Sequence, residues 1–415
     1  MTYCPNPILN PYTFVPDVEA HVWADGRIYL YGSLDIEGCM QYCSREYHVY
    51  SSDDMIHWVD HGVSFRLDDI EWAKTGGGIY APDCAYRDGK YYLYYCIVDG
   101  RCGVAVSDCP YGPFKDVGPI EHVTMIDPAV LIDDDGQAYL YWGQFDGVRV
   151  AKLKENMVEI DPETITQPLS VAEHEFHEGS SVKKINGKYY FVYTDTHRHG
   201  NKATSMGYAV SDNPMSGFVY QGVIVDNFGC DPKTWNNHGS IACFNGQWYV
   251  FYHRSTHGCE FSRHVCIEPI TIDENGKIAE VKMTTSGRES ALPAGDVMPA
   301  FRACEMSGNV RIAGDKTSPH GFALTQIQPN DTATFRYLDF DGENTFTVTL
   351  QAEQDVRVEL YVDGTYHACL TAAANTAYAS HSTAIAPISG KHTVELKFFG
   401  DFSAAKVSEF IFAKA

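Results

Sequence analysis

The chain has 415 residues, 54 acidic against 31 basic for a formal charge of −23, and aromatic side chains make up 13% of it. A field of that sign repels phosphate backbones and argues against nucleic acid as a partner, and no run reaches the ~18 apolar residues that a membrane span needs. The length exceeds one ordinary core and predicts two domains.

The N-terminal MTYCPNPILN has neither a basic region nor a sustained apolar stretch, so no secretory leader is expected. The 13 cysteines are scattered, with Cys84, Cys96, Cys243 and Cys266 inside predicted strands, which predicts a reduced, cytoplasmic chain. Residues 1–16 read as a Pro- and Asn-rich loop that delivers Asp17. From there one pattern recurs five times, at 17–33, 79–95, 127–143, 178–194 and 238–254: an apolar run, a turn ending in Gly26, Gly89, Gly136, Gly187 or Gly246, and a second aromatic run. Such runs around a turn glycine are β-hairpins. Strand units recurring at roughly 40–50 residues are the mark of a propeller, with insertions accounting for the longer intervals. The similar stretches 48–62, 103–118 and 207–222 supply further strands for individual blades.

Counting nine residues back from the turn glycines reaches Asp17, Asp127 and Glu178; eight back reaches His238. In the second copy, nine back is Tyr80, with Asp83 six back. Equivalent positions on equivalent strands surround one axis, so Asp17, Asp127, Glu178 and His238 are expected to converge at one mouth of the channel. Segments 35–47 and 65–78 read as insertions, of the length that often lies over a pocket. Other clusters carry less. The Asp133-Asp134-Asp135 run lacks the ligand spacing of a calcium loop and reads as a solvated turn. Cys39 and Cys43 lack completing zinc ligands, and His197 and His199 read as a plain loop. The segment 261–281 reads as outer strands closing the ring, 286–300 as a linker, and the remainder alternates like a two-layer sandwich. The fold expected is all-β: a five-bladed propeller over 1–290 and a β-sandwich of jelly-roll type over 291–415.

Carboxylates about a narrow opening suit glycoside hydrolysis by inversion, in which a base activates water and an acid protonates the leaving oxygen, roughly 6.5–9.5 Å apart. A third carboxylate raises the pKa of the acid by repulsion. The pieces PDV at 16–18, YAPD at 80–83, IDPAVLIDDDG at 126–136, HEGSS at 177–181, NNHGSIACFNGQWYVFYHR at 236–254 and SRHVCIEP at 262–269 resemble glycoside hydrolase family 43, enzymes of β-xylosidase and α-L-arabinofuranosidase type. The resemblance implies that Asp17 is the base, Glu178 the acid and Asp127 the residue that modulates and orients it. It implies that Arg263, Tyr80 and His238 meet the sugar, and that His238 lies beside a structural, mostly water-coordinated Ca2+; no organic cofactor is implied. Two departures concern the sugar: Val18 stands where the family has Pro, and Tyr80 where it often has Trp. The tail resembles, more loosely, a family 6 carbohydrate-binding module. The partner expected is an oligosaccharide or polysaccharide whose chain end or branch enters a pocket; a homo-oligomer stays open. A non-catalytic carbohydrate-binding propeller would not need both Asp17 and Glu178. A fructosidase acting with retention would hold its carboxyls closer, roughly 5–5.5 Å apart.

Overall fold

The computed structural model describes residues 3–73, 76–200, 202–400 and 404–415. Part of the insertion expected at 65–78 falls on 74–75, outside the described residues. Among the described residues, helix is limited to one turn, Val171–His174, and three 3₁₀ turns. None of the described helices is long and apolar enough to cross a membrane.

Four four-stranded antiparallel sheets and one three-stranded sheet follow one another as blades. Their innermost strands are Glu19–Val22, Ile79–Arg87, Ala129–Ile132, Phe176–Ile185 and Ser240–Phe244, each opening one of the repeated hairpins. The second strand of each hairpin is packed between neighbouring blades, as in Ala138–Gly143, which is buried at every position. Outer strands face water on one side, and Lys115–Thr124 is largely exposed. Five apolar clusters fill the wedges between blades and close the circle. Tyr31, Phe65 and Tyr95 join blades one and two, and Val15, Ile28, Phe251 and Ile267 join five to one.

The hairpin turns explain the offsets counted in the sequence. In blades two, four and five the turns have two residues, each with positive φ, as at Asn186 (50°) and Gly187 (79°). These are the turns whose twist matches paired strands. Blades one and three use three-residue loops, 24–26 and 134–136, closed by Trp23 N–H to Arg27 O and Asp133 N–H to Gln137 O. The longer loop moves Asp17 and Asp127 to nine residues from glycine, against eight for His238, although all three stand at the same level of their strands. Glu178 keeps that level through a bulge between Glu178 and Ser181, where Gly179 has φ +77°. A like bulge separates Tyr80 from Asp83.

Ring closure differs from the expectation. Arg263–Ile270 is the third strand of blade five, but 271–281 forms only isolated bridges. The edge of Arg263–Ile270 is covered instead by the N-terminal segment. Asn6 Nδ2 donates to Ile267 O at 2.9 Å, Ile267 N–H donates to Asn6 Oδ1 at 2.9 Å, and Ile8 N–H bonds Val265 O. A side-chain amide thus stands in for a strand peptide, which no periodicity announces.

From Leu292 onward the strands belong to one ten-stranded sheet that folds over its own core as a β-sandwich. Its two longest strands, Thr332–Ala352 and Asn375–Gly400, pair antiparallel and bend at register shifts around Asp341 and Glu343. Strands that bend at bulges serve both layers. Phe14, from the segment before blade one, is part of this core, so the two units share packing.

Candidate active site

Asp17, Asp127, Glu178 and His238 do converge. With Tyr42, Tyr80, Gln144, Asn236 and Arg263 they line one pocket of about 360 Å³ at the mouth of the axis. All four of the converging side chains are at least nine-tenths buried. Asp17 and Asp127 share an unusual backbone, with φ of 58° and 60°. Aspartate tolerates that left-handed region better than most residues, and here it turns each carboxylate off the strand toward the axis.

Each carboxylate is held differently. Asp17 Oδ1 accepts from Arg263 Nη1 at 3.0 Å and Oδ2 accepts from Ser33 Oγ at 2.8 Å. Ser33 Oγ itself accepts from Ala81 N–H, so its proton is directed at Asp17. The rest of the Arg263 fork is committed to Asp35, through Nε at 2.8 Å and Nη2 at 2.9 Å, with the Tyr42 ring against the guanidinium. Burial works to raise the Asp17 carboxyl, but the opposing interactions, Arg263 first among them with Ser33 donating, outweigh it and hold it below its usual value.

Among the described residues, no lysine or arginine pairs with Asp127. Its Oδ2 accepts from Gly179 N–H at 3.0 Å, the peptide that follows Glu178. Burial first, then the negative charge of Glu178 and, further down, that of Asp17, hold its carboxyl well above the usual range. Glu178 is gripped by two neutral amides: Asn236 Nδ2 donates to Oε1 at 2.7 Å and Gln144 Nε2 to Oε2 at 2.8 Å. The arrangement gives one carboxylate kept ionised by a guanidinium and one held by groups that impose no charge, with a third carboxyl beside it whose proton affinity is raised. Environments that part the proton affinities of neighbouring carboxyls are those of acid–base catalysis.

His238 Nδ1 lies 3.8 Å from Asp17 Oδ1 and 3.9 Å from Asp127 Oδ2, and burial keeps the ring neutral by lowering its pKa. Below it the axis holds a void with room for about one water, lined by Glu19, Asp83, Ser180 and the undersides of Asp17 and Asp127. Deeper still, Glu19, His21 and Asp83 form a trio of ligating side chains within 4.8 Å of one another, and Lys183 is ion-paired with Glu19. The metal-like cluster among the described residues therefore lies beneath His238 and does not include it.

Tyr80 also lines the pocket, while Asp83, six residues before its turn glycine, sits a layer lower, its Oδ2 accepting from Val130 N–H at 2.7 Å. Of the two expected insertions, the first contributes Tyr42 and Cys43 to the wall. His197 and His199 stack on Tyr220 and Phe228 away from the site. All 13 cysteines are free. Sequence reasoning did not single out Gln144, Asn236, Ser33, Asp35 or His253. The only signal was adjacency: Gln144 directly follows the third hairpin and Asn236 stands two residues before His238.

Residues 4–278 match the model of glycosyl hydrolases family 43. A xylosidase/arabinosidase of Thermoclostridium stercorarium is 35% identical over 347 residues, covering 72% of this chain and 72% of its own. Among solved structures, a β-xylosidase/α-arabinofuranosidase from a compost microbial metagenome, in complex with xylotriose and in a calcium-free form, aligns over 67% of this chain and 97% of its own, at 32% identity and a TM-score of 0.59. An arabinoxylan arabinofuranohydrolase from Bacillus subtilis covers 99% of this chain and 97% of its own at 24% identity and a TM-score of 0.59, a likeness of fold across both units.

Proposed function

The chain belongs to glycosyl hydrolase family 43, and from that premise we propose that it releases terminal pentose, α-L-arabinofuranose or β-D-xylose, from plant-type oligosaccharides by inversion. One observation carries the reading: three carboxylates from three blades enter one pocket, each in a different electrostatic setting. Asp17, ionised beside Arg263, takes a proton from the attacking water. Glu178, held by Asn236 and Gln144, gives its proton to the leaving oxygen. Asp127 fixes the start of the Glu178 bulge through Gly179 N–H, and mutual repulsion between the two carboxyls favours keeping a proton on the pair. The pocket narrows below to the one-water void, and a closed floor suits a chain end or a branch rather than a threaded polymer.

The test is turnover of nitrophenyl α-L-arabinofuranoside and β-D-xyloside, with the first-formed anomer read by proton NMR. An inverted first product is expected; retention would contradict the mechanism, and no turnover on a broad glycoside panel would favour a non-catalytic binding propeller.

Asp127 gives a second prediction. Replacing it by Asn keeps its size but removes a group whose repulsion helps keep a proton in the pocket. The alkaline limb of the pH–rate profile is expected to move about one pH unit lower in Asp127→Asn. An unmoved limb would reduce Asp127 to a structural part.

The calcium expected beside His238 has thinner support. His238 Nδ1 is turned toward two carboxylates. The void beneath it has room for about one water. A calcium ion that keeps most of its roughly six to eight oxygen ligands as water needs more space. The void beneath His238 does not fit that group, and no step of the reaction is routed through it.

A further inference from the structure

The lower axial layer has a feature that the reaction does not use. Lys183 reaches the axis from the inner strand of blade four, five residues beyond Glu178, and its ammonium pairs with Glu19 on blade one, two residues beyond Asp17. The lysine side chain is 19% exposed and the glutamate 7%. Ser181 Oγ adds a 3.1 Å bond to the same Glu19 Oε1. Blades one and four are not neighbours in the ring, so this contact spans the channel. It ties the strand that carries Asp17 to the strand that carries Glu178. Around it stand His21, bonded to Asp83 Oδ1 at 2.7 Å, and Asp83, which anchors the backbone beside Asp127. Above it is the one-water void, into which Ser180 Oγ points without a hydrogen-bond partner.

Buried carboxylates stacked along one axis repel strongly in a low dielectric and require positive charge among them. Arg263 supplies it in the upper layer, where it is shared between Asp17 and Asp35. In the lower layer the cation within ion-pair reach of Glu19, besides His21, is Lys183. We infer that Lys183 is a tethered cation at the propeller axis, supplying the charge and the cross-channel tie that a bound metal ion would otherwise supply, so that the wild-type fold does not depend on a divalent metal. Removing the ammonium leaves Glu19, His21 and Asp83 as two carboxylates and an imidazole close enough to share one ion, a donor set suited to calcium or manganese.

The experiment reads thermal midpoints and so does not depend on the proposed activity. Wild type, Lys183→Met and Lys183→Gln are stripped with chelator, then titrated with calcium and, separately, manganese at matched ionic strength. The wild-type midpoint is expected to stay within about 1 °C throughout. Lys183→Met is expected to melt about 5 °C lower or more, since an unpaired buried charge is strongly destabilising, and to recover at least half of the loss with one of the ions. If Lys183→Met does not fold, folding of either variant only when the ion is present supports the inference. A wild-type midpoint that rises by several degrees with either ion overturns it. So does a loss in the variants that neither ion repairs, because Lys183 would then be only one half of an ordinary salt bridge.

Discussion

Replacing Glu178 by Gln is expected to slow cleavage of xylobiose or an arabinoxylo-oligosaccharide by about 10²–10⁴-fold, the usual contribution of a general acid, or roughly 3–5 kcal/mol of barrier. The same variant should lose far less on nitrophenyl glycosides. A nitrophenolate departs without a proton, whereas a sugar alkoxide does not. The structural cost is small, because one amide oxygen still accepts from Asn236 or Gln144. The amide nitrogen must face the other donor, however, and one of the two grips on the side chain is lost. The diagnostic is therefore the ratio of kcat/KM losses on the two substrate types. Equal losses on both would mean that Glu178 shapes the pocket without protonating anything.

The candidate catalytic residues were legible because a propeller repeats its geometry. A strand of fixed length before a turn glycine sets the level of Asp17, Asp127, Glu178 and His238 at the axis, and that count survives translation into three dimensions. It survives for two reasons that the sequence does not display. A three-residue loop lengthens the count for Asp17 and Asp127, and a bulge at Gly179 lengthens it for Glu178. The residues that hold those carboxylates and Arg263 were not legible, since they act between blades. Asn236 touches Glu178 from blade five's approach, Ser33 links Asp17 to Ala81 of blade two, and Asp35 holds Arg263 from 228 positions away. None of them repeats, so no period marks them. The C-terminal unit shows the same limit. In the remainder read as sandwich strands, residues 335–340 and 344–352 belong to one strand, Thr332–Ala352, which bends between them instead of ending. Its sandwich form followed from alternation of apolar residues, which is local; its bends follow from packing, which is not.

Asp17→Asn should cost about as much as loss of the acid, but with the opposite dependence on substrate. Water must be deprotonated whatever group leaves, so kcat/KM is expected to fall by about 10²–10⁴-fold on xylobiose and nitrophenyl glycosides alike. The site can accept the change without rearranging. Asparagine tolerates the positive φ of this position as readily as aspartate does. Its amide oxygen can take the Arg263 hydrogen bond while its nitrogen donates to Ser33 Oγ, so the guanidinium keeps Asp35 and a polar neighbour. What remains missing is a group that accepts a proton. Stability supplies an independent reading. The folded protein holds the Asp17 carboxyl below its usual value, so its charge stabilises the fold above the unfolded-state pKa, and that contribution is lost as pH falls through the lower, folded-state pKa. The midpoint of Asp17→Asn should therefore lie below that of wild type at neutral pH, and the gap should close on acidification. A variant that keeps its midpoint deficit at every pH, or that loses activity only on substrates with poor leaving groups, would move the role of base to another residue of this pocket.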